Sequence, residues 1–249
     1  MTTALITGAN KGIGFETARQ LAARGMTVLL AARDPRLGQV AADKLRADGA
    51  DVRFIQLDVT DAESIAAAAA RVDTEFGTLD VLINNAAITG GLEGDGKPSS
   101  GTVEMLRKVY ETNVFGLFAV TNALLPLLRR APAARIVNVS SEVGSLTMRT
   151  DPNSPMRGMI GAIPYGSSKT AVNMVTVLYA LELEDTPIKV NAANPGYTDT
   201  DLNGHTGFRT VEQGAYPSVY LATLPDDGPS GEHWGYLWGG EQEYGRIDW

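Results

Sequence analysis

The chain has 249 residues, about the upper end of one domain and enough to bury a large core. Its formal net charge is −8 and its basic residues are scattered, which argues against nucleic acid or an anionic membrane as a main partner. It has no cysteine and only two histidines, His205 and His233, so disulfides, thiolate sites and a histidine-rich metal centre are excluded.

Taken in order, strand and helix alternate. The opening run Thr3–Gly8 is a short apolar strand that ends in glycine, without the basic-then-apolar layout of a signal peptide. Helical periodicity over Ile13–Gly25 closes on a glycine, and Met26–Ala32 is a second buried-type strand. A helix follows at about Pro35–Ala47, then strand Val52–Val59. The helix Asp61–Phe76 carries a possible capping box from Thr60 and Glu63, and strand Leu79–Asn85 comes next. A long helical stretch covers about Val103–Arg130, followed by strand Ala134–Ser141 and a helix that reaches about Glu184. Strand Ile188–Gly196, a helix near Val211–Leu224 and a last strand near Trp234–Trp238 complete the series.

Near-continuous apolar strands between helices predict a parallel sheet covered on both faces, an α/β doubly wound fold of about seven strands in a single domain over residues 1–249. Two Gly/Pro/Ser-rich insertions, at about 89–101 and 145–164, follow strand ends, where open α/β sheets bind ligands. No apolar run reaches the length of a membrane span, so the expected setting is the cytoplasm, with no membrane partner.

The loop "TGANKGIG" (Thr7–Gly14) joins the first strand to the first helix. Gly8 permits a tight turn, Gly12 lets the main chain approach a pyrophosphate, and Gly14 lets helix and strand pack closely. The helix N-terminus then offers free N–H groups to the phosphates. A flexible glycine turn is the plain alternative, but a strand before and a helix after favour a dinucleotide site that also takes in Asn10 and Ile13. At the end of the second strand Ala32 stands where an acid would bind the ribose 2′-hydroxyl of NAD. Arg33 follows, and Lys11 lies in the glycine loop; two cations there suit a 2′-phosphate and favour NADP. Asp34 is the counter-argument, since it could turn outward or pair with Arg33.

The glycine loop, "LDV" (Leu57–Val59), "NNAA" (Asn84–Ala87), Asn113, "VNVSS" (Val137–Ser141), "YGSSK" (Tyr165–Lys169) and "NPGYTDT" (Asn194–Thr200) occur in one order along almost the whole chain. In this order they resemble the short-chain dehydrogenase/reductase family, a Rossmann fold. "AARD", "RFIQLDV" and "VYLATLP" make the likeness greatest to its monomeric carbonyl reductases, which use NADPH on aldehydes, ketones and quinones.

The resemblance implies a catalytic set of Asn113, Ser141, Tyr165 and Lys169, with Ser141 rather than Ser140 as the serine. It places Asp58 and Val59 beside the adenine and Asn85 and Ala86 at the adenosine ribose. Pro195, Gly196, Thr198 and Thr200 would line the nicotinamide end, and Tyr165 and Lys169 the ribose next to it. A free phenol titrates near ~10, too high for efficient acid–base work near neutrality. A lysine four residues on shares its helix face, and its charge would lower that value. Ser141 would donate to the carbonyl oxygen as negative charge builds there. Asn113 would hold a water that links Lys169 to solvent.

Tyr165 lies 24 residues after Ser141, about twice the usual family spacing. The extra residues read as a lid or as a disordered surface loop. As a lid, Met148, Met156, Met159 and Ile160 would line an adaptable pocket, with Tyr197, Leu202 and His205 facing it. An insertion here hinders the family's helix-to-helix association, so a monomer is expected and a homo-oligomer stays open. The expected function is NADPH-dependent reduction of a small-molecule ketone or aldehyde, with no metal. An NAD-linked alcohol dehydrogenase and a non-enzymatic dinucleotide-sensing regulator are the alternatives.

Overall fold

The structure, a computed structural model, describes residues 2–91, 97–158, 161, 163–238 and 244–249. Its eight strands are β1 (Thr3–Ile6), β2 (Thr27–Ala32), β3 (Val52–Gln56), β4 (Val81–Asn84), β5 (Arg135–Val139), β6 (Lys189–Asn194), β7 (His233–Tyr236) and β8 (Tyr244–Ile247). They form one sheet in the order β3-β2-β1-β4-β5-β6-β7-β8. Every pairing up to β6–β7 is parallel, and β7–β8 is antiparallel. The sheet thus has one strand more than expected.

The helices are α1 (Gly12–Ala22), α2 (Pro35–Ala47), α3 (Ala62–Phe76), α4 (Val103–Tyr110), α5 (Leu117–Leu128), α6 (Leu146–Thr150), α7 (Ile163–Glu182) and α8 (Val211–Ala222). Alternation along each strand sorts the core into two layers. Leu5, Leu29, Leu82, Ile136 and Val190 pack with α3, α5 and α7. Their neighbours Ala4, Ile6, Val28, Leu30, Ile83 and Val137 pack with α1, α2 and α8. Both faces are therefore buried, as uninterrupted apolar strands require.

Chain direction reverses its walk through the sheet between β1 and β4, since β2 and β3 lie to one side and β4 to β7 to the other. The crevice at the carboxyl ends of those two strands is the switch point where this topology takes ligands.

The expected helix over Val103–Arg130 is interrupted. Between α4 and α5, Glu111–Gly116 form a π turn, with its wider i→i+5 pitch. The combined stretch Val103–Leu128 is, by length and composition, apolar enough to cross a bilayer, which corrects the sequence expectation. Arg107, Lys108 and Glu111 hide this in the sequence by breaking the apolar run early. Half of its apolar window is buried inside the fold, and Val120, Leu124, Leu127 and Leu128 pack against the sheet. The α3 cap differs as well: Asp61, not Thr60, accepts from the Glu63 and Ser64 amides. Thr60 instead donates from its hydroxyl to Asp58 at 2.7 Å.

Candidate active site

The glycine loop sits at the switch point. Gly8 and Gly12 adopt φ of 62° and 57°, a region that only glycine enters without strain. A Cβ on Gly14 would lie 2.5 Å from Asn85 Nδ2 and 2.8 Å from the Gly8 carbonyl, so α1 can rest on β1 only because none is there. A Cβ on Gly12 would meet nothing nearer than Thr200 Cγ2 at 3.6 Å. A side chain at Gly12 would meet Thr200 at ordinary contact distance, so the loop lies against the segment after β6.

The helix behind that loop is unusual in this chain. Asp34, Asp61, Thr102 and Thr210 cap α2, α3, α4 and α8 with side-chain oxygens. At α1 the N-cap is Lys11, and no side chain caps it. Its first amides are left for an exogenous acceptor, with the positive end of the helix dipole behind them. Glycine backbone and uncapped amides together fit a dinucleotide pyrophosphate. Asn10 and Ile13 lie half-buried in this loop.

Asn85 and Ala86 brace the loop and stay partly exposed. Asn85 Nδ2 donates to the Thr7 and Gly8 carbonyls at 2.8 and 3.2 Å, and the Asn85 and Ala86 amides both donate to Thr7 Oγ1. They tie β4 to the turn after β1.

At the adenosine end, Asp34 is spent on capping α2 through the Arg36 and Leu37 amides. The cap engages Oδ1 and fixes the carboxylate over the start of α2, while Arg33 projects from the end of β2. Arg33 is exposed, with its Nε 3.9 Å from the Asp58 carboxylate. Asp58 keeps some exposure, whereas Val59 is buried against Gly116 and has little face to offer. Lys11 bends across the groove to Asp201, Nζ to Oδ2 2.7 Å, so one of the two expected phosphate cations already has a partner.

The four expected catalytic residues converge at the carboxyl ends of β4 and β5. Ser140 and Ser141 diverge as the chain leaves β5. Ser140 is buried and donates to Asn173 Oδ1 at 2.5 Å. Ser141 accepts from the Val143 amide through Oγ and lies close enough to the Tyr165 phenol to lower its pKa. Tyr165 stands in the first turn of α7, half-buried. Lys169, one turn on and almost fully buried, puts Nζ 5.5 Å from the Tyr165 ring centroid. Its ammonium donates to the Val139 carbonyl at 2.7 Å.

Asn113 occupies the π turn. Its Nδ2 donates to the Ile88 carbonyl at 2.9 Å and to Ser168 Oγ at 3.0 Å, and its Oδ1 accepts from the Ile88 amide. Ser168 in turn donates to the Tyr165 carbonyl. The Asn113 side chain thus joins the loop after β4 to the tyrosine helix and is fully engaged.

Electrostatics departs from expectation here. Burial pushes the Tyr165 phenol up, to about 12, and only the nearby Ser141 pulls it down. Burial also pushes the Lys169 ammonium down, to about 8. With the groove as it stands, the phenol is a firmly protonated acid and the cation sits near its own titration point.

The loop after β6 is less open than the motif implies. Thr198 is buried and turns its hydroxyl to the Pro195 and Gly196 carbonyls. Pro195 is buried too; Gly196 and Thr200 keep partial exposure toward the groove. His205 is exposed and bridged to Asp199 and Asp201 at 2.6 and 2.8 Å. Leu202 is exposed.

Within the second insertion Met156 is fully buried, so it holds the insertion together rather than lining a pocket. Met148 is half-buried, and Met159 and Ile160 lie outside the described residues. The insertion is anchored: Ser145 Oγ donates to the Asp248 carbonyl at 2.6 Å, and the Thr147 amide to that of Trp249. Two features went unread in the sequence. One is Glu142, a buried acid directly after Ser141. The other is a cluster of Tyr197, Phe208 and Trp238 rings with centroids 5.4–6.0 Å apart.

Comparison with known proteins extends this picture. The family model for short chain dehydrogenase matches residues 2–207. Short-chain dehydrogenase anuI of Penicillium roqueforti (strain FM164) is 39% identical over 250 residues, covering 98% of this chain and 96% of that one. Carbonyl reductase [NADPH] 1 of Mus musculus is 35% identical over 266 residues, covering 92% of this chain and 94% of that one. Among solved structures, salutaridine reductase from Papaver somniferum superposes with a TM-score of 0.81 at 31% identity, over 94% of this chain and 99% of that chain.

Proposed function

The chain belongs to the short-chain dehydrogenase family, and from that premise we propose how its own residues reduce a carbonyl. It is an NADP-dependent oxidoreductase that converts ketones or aldehydes to alcohols. When bound, NADPH supplies the hydride. The observation that carries the assignment of roles is the gathering of Ser141, Tyr165 and Lys169, with Lys169 beneath the ring, at the carboxyl edge of the sheet that also carries the glycine loop.

On this reading Tyr165 gives its proton to the substrate oxygen. It is protonated across the physiological range, and efficient transfer needs its pKa lowered by the charge of Lys169. Ser141 then faces two ways, holding the phenol and donating to the oxygen as charge builds. Lys169 supplies positive potential under the ring, and its reach is set by the Val139 carbonyl. The amides of α1 and the Gly12 turn hold the pyrophosphate, and Arg33 meets the 2′-phosphate. Lys11 joins Arg33 only by leaving Asp201.

Replacing Tyr165 by Phe tests the roles directly. Turnover of an aldehyde or ketone with NADPH is expected to drop by several orders of magnitude while NADPH still titrates the protein with unchanged affinity. Turnover within ten-fold of wild type removes Tyr165 as the proton donor.

A cytoplasmic setting remains part of the proposal, consistent with the packing of Val103–Leu128 on the sheet. The oligomeric reading shifts. Phe118 on α5, Phe115 before it, and Met174, Leu178 and Leu181 on α7 are all at least half exposed, an apolar stripe that favours self-association over the expected monomer.

A further inference from the structure

Glu142 is almost fully buried, yet the reduction chemistry has no use for it. A carboxylate one residue from Ser141 is badly placed for a reaction that builds negative charge on the substrate oxygen. Its position makes sense through its partner. Glu142 Oε2 accepts from the backbone amide of Trp238 at 2.6 Å, which fastens the chain after β7 to the chain after β5.

Trp238 is the central ring of the aromatic cluster. Its centroid lies 5.4 Å from that of Tyr197 and 5.6 Å from that of Phe208, and those two are 6.0 Å apart. Tyr197 and Phe208 both belong to the segment after β6, so the cluster is assembled from two separate loops. The buried Arg209 backs it, with its guanidinium 5.3 Å from the Phe208 ring and 4.2 Å from that of Tyr236. The rings are not consumed by the core. Tyr197 and Trp238 are half-buried, and Phe208 is 61% exposed. Three partly bare aromatic faces, tied through the Glu142–Trp238 bond to the segment that carries Ser141, form a surface for a flat apolar body.

We infer that Glu142 is a positioning residue for substrate: its bond to the Trp238 amide fixes a three-ring wall beside Ser141 that receives the apolar part of an aryl or fused-ring ketone. This deepens the reductase reading and rests on it for the identity of the ligand. Glutamine at position 142 keeps an oxygen acceptor for the Trp238 amide. Alanine removes it and frees the loop.

The test compares 2-acetonaphthone with propanal in the wild type, Glu142→Ala, Glu142→Gln and Trp238→Ala, with NADPH saturating. Glu142→Ala is expected to raise KM for the naphthyl ketone about ten-fold, the scale of one or two lost ring contacts, and leave KM for propanal and the Kd of NADPH unchanged. Glu142→Gln should stay within two-fold of wild type. Trp238→Ala should match Glu142→Ala, and the double variant should be no worse than either. Equal loss on both substrates, equal loss in the glutamine variant, or additive effects in the double variant overturn the inference. Quenching of tryptophan fluorescence by 2-acetonaphthone reads the same wall without turnover. If the wild type reduces neither carbonyl, the reductase reading fails alone, and the inference stands or falls on whether quenching affinity drops in Glu142→Ala and is kept in Glu142→Gln.

Discussion

The Nζ of Lys169 donates to the carbonyl oxygen of Val139 at 2.7 Å. That partner is a backbone dipole rather than a carboxylate, and burial brings the Lys169 pKa down to about 8. The ammonium therefore begins to lose its proton just above neutrality. The rate constant kcat/KM for NADPH reports the free protein and is expected to be flat below about pH 7 and to fall about ten-fold per unit above pH 8. Tyr165, held near 12, contributes no break in that range. A profile that stays flat to pH 10 contradicts this assignment of the alkaline limb.

Ser141 provides the one interaction that lowers the Tyr165 pKa. Its replacement by alanine removes that interaction and a donor to the substrate oxygen together. The expected loss in kcat is about 10²–10³-fold, the size seen when one donor to a developing oxyanion is deleted. NADPH affinity should hold within a factor of two by fluorescence titration, and a parallel fall in affinity would place Ser141 in cofactor binding instead.

Gly14 separates α1 from β1 by the width of an absent Cβ. In Gly14→Ala the new atom meets the Gly8 carbonyl and Asn85 Nδ2 well inside contact distance, and the first is backbone that cannot swing away. A loss of roughly 1–3 kcal/mol in urea unfolding is expected, together with weaker NADPH binding, because the shift is transmitted into the glycine turn. Unchanged stability would mean that α1 rides more loosely than the packing shows.

Glu142 carries a proton in the folded protein up to about pH 7, because burial outweighs the Trp238 amide and the Arg209 charge. In the unfolded chain it releases that proton near its ordinary value of 4.5. Between these values the folded state binds more protons than the unfolded state, so this group's contribution to stability falls as pH rises through the window. Above pH 7 the full cost is present, on the order of 3 kcal/mol. Glu142→Gln should therefore be more stable than wild type at pH 8, with a smaller difference at pH 5, by urea denaturation. An equal difference at both values refutes the shift.

Arg33 is exposed at the end of β2 with only a long ion pair to Asp58, while Asp34 caps its helix. Arg33→Ala should weaken NADPH binding about ten- to hundred-fold, the range for a lost charge-assisted bond, and leave NADH nearly untouched. Calorimetry with both dinucleotides measures this, and equal weakening of the two would assign the 2′-phosphate to another residue.

Much of this was open to inspection in the sequence, for reasons that can be named. Apolar runs such as Ala4–Ile6 and Val28–Ala31 are buried on both faces, so composition alone marks them as interior strands. Tyr165 and Lys169 share a face because helical pitch fixes it, and the glycine spacing shows where backbone replaces side chain. Strand β8 stayed hidden because four residues after a Gly/Glu-rich stretch gain meaning only by pairing with β7. The π turn was invisible because Val103–Arg130 keeps a helical period throughout. Glu142 reads in isolation as a solvated charge; only the fold buries it and brings Trp238 to it. The pKa pattern was misjudged for a related reason. Spacing shows that two groups are neighbours but says nothing of the water each has lost.

The π turn also bears on how this chain can vary. Deleting one residue between Glu111 and Gly116 would restore an ordinary α-helical ladder through α4 and α5, which by local propensity is the better helix. It would also swing Asn113 about 100° around the axis and away from Ile88 and Ser168. The wider turn is a defect kept in an otherwise regular rod, and a variant selected for heat resistance alone would be under pressure to lose it.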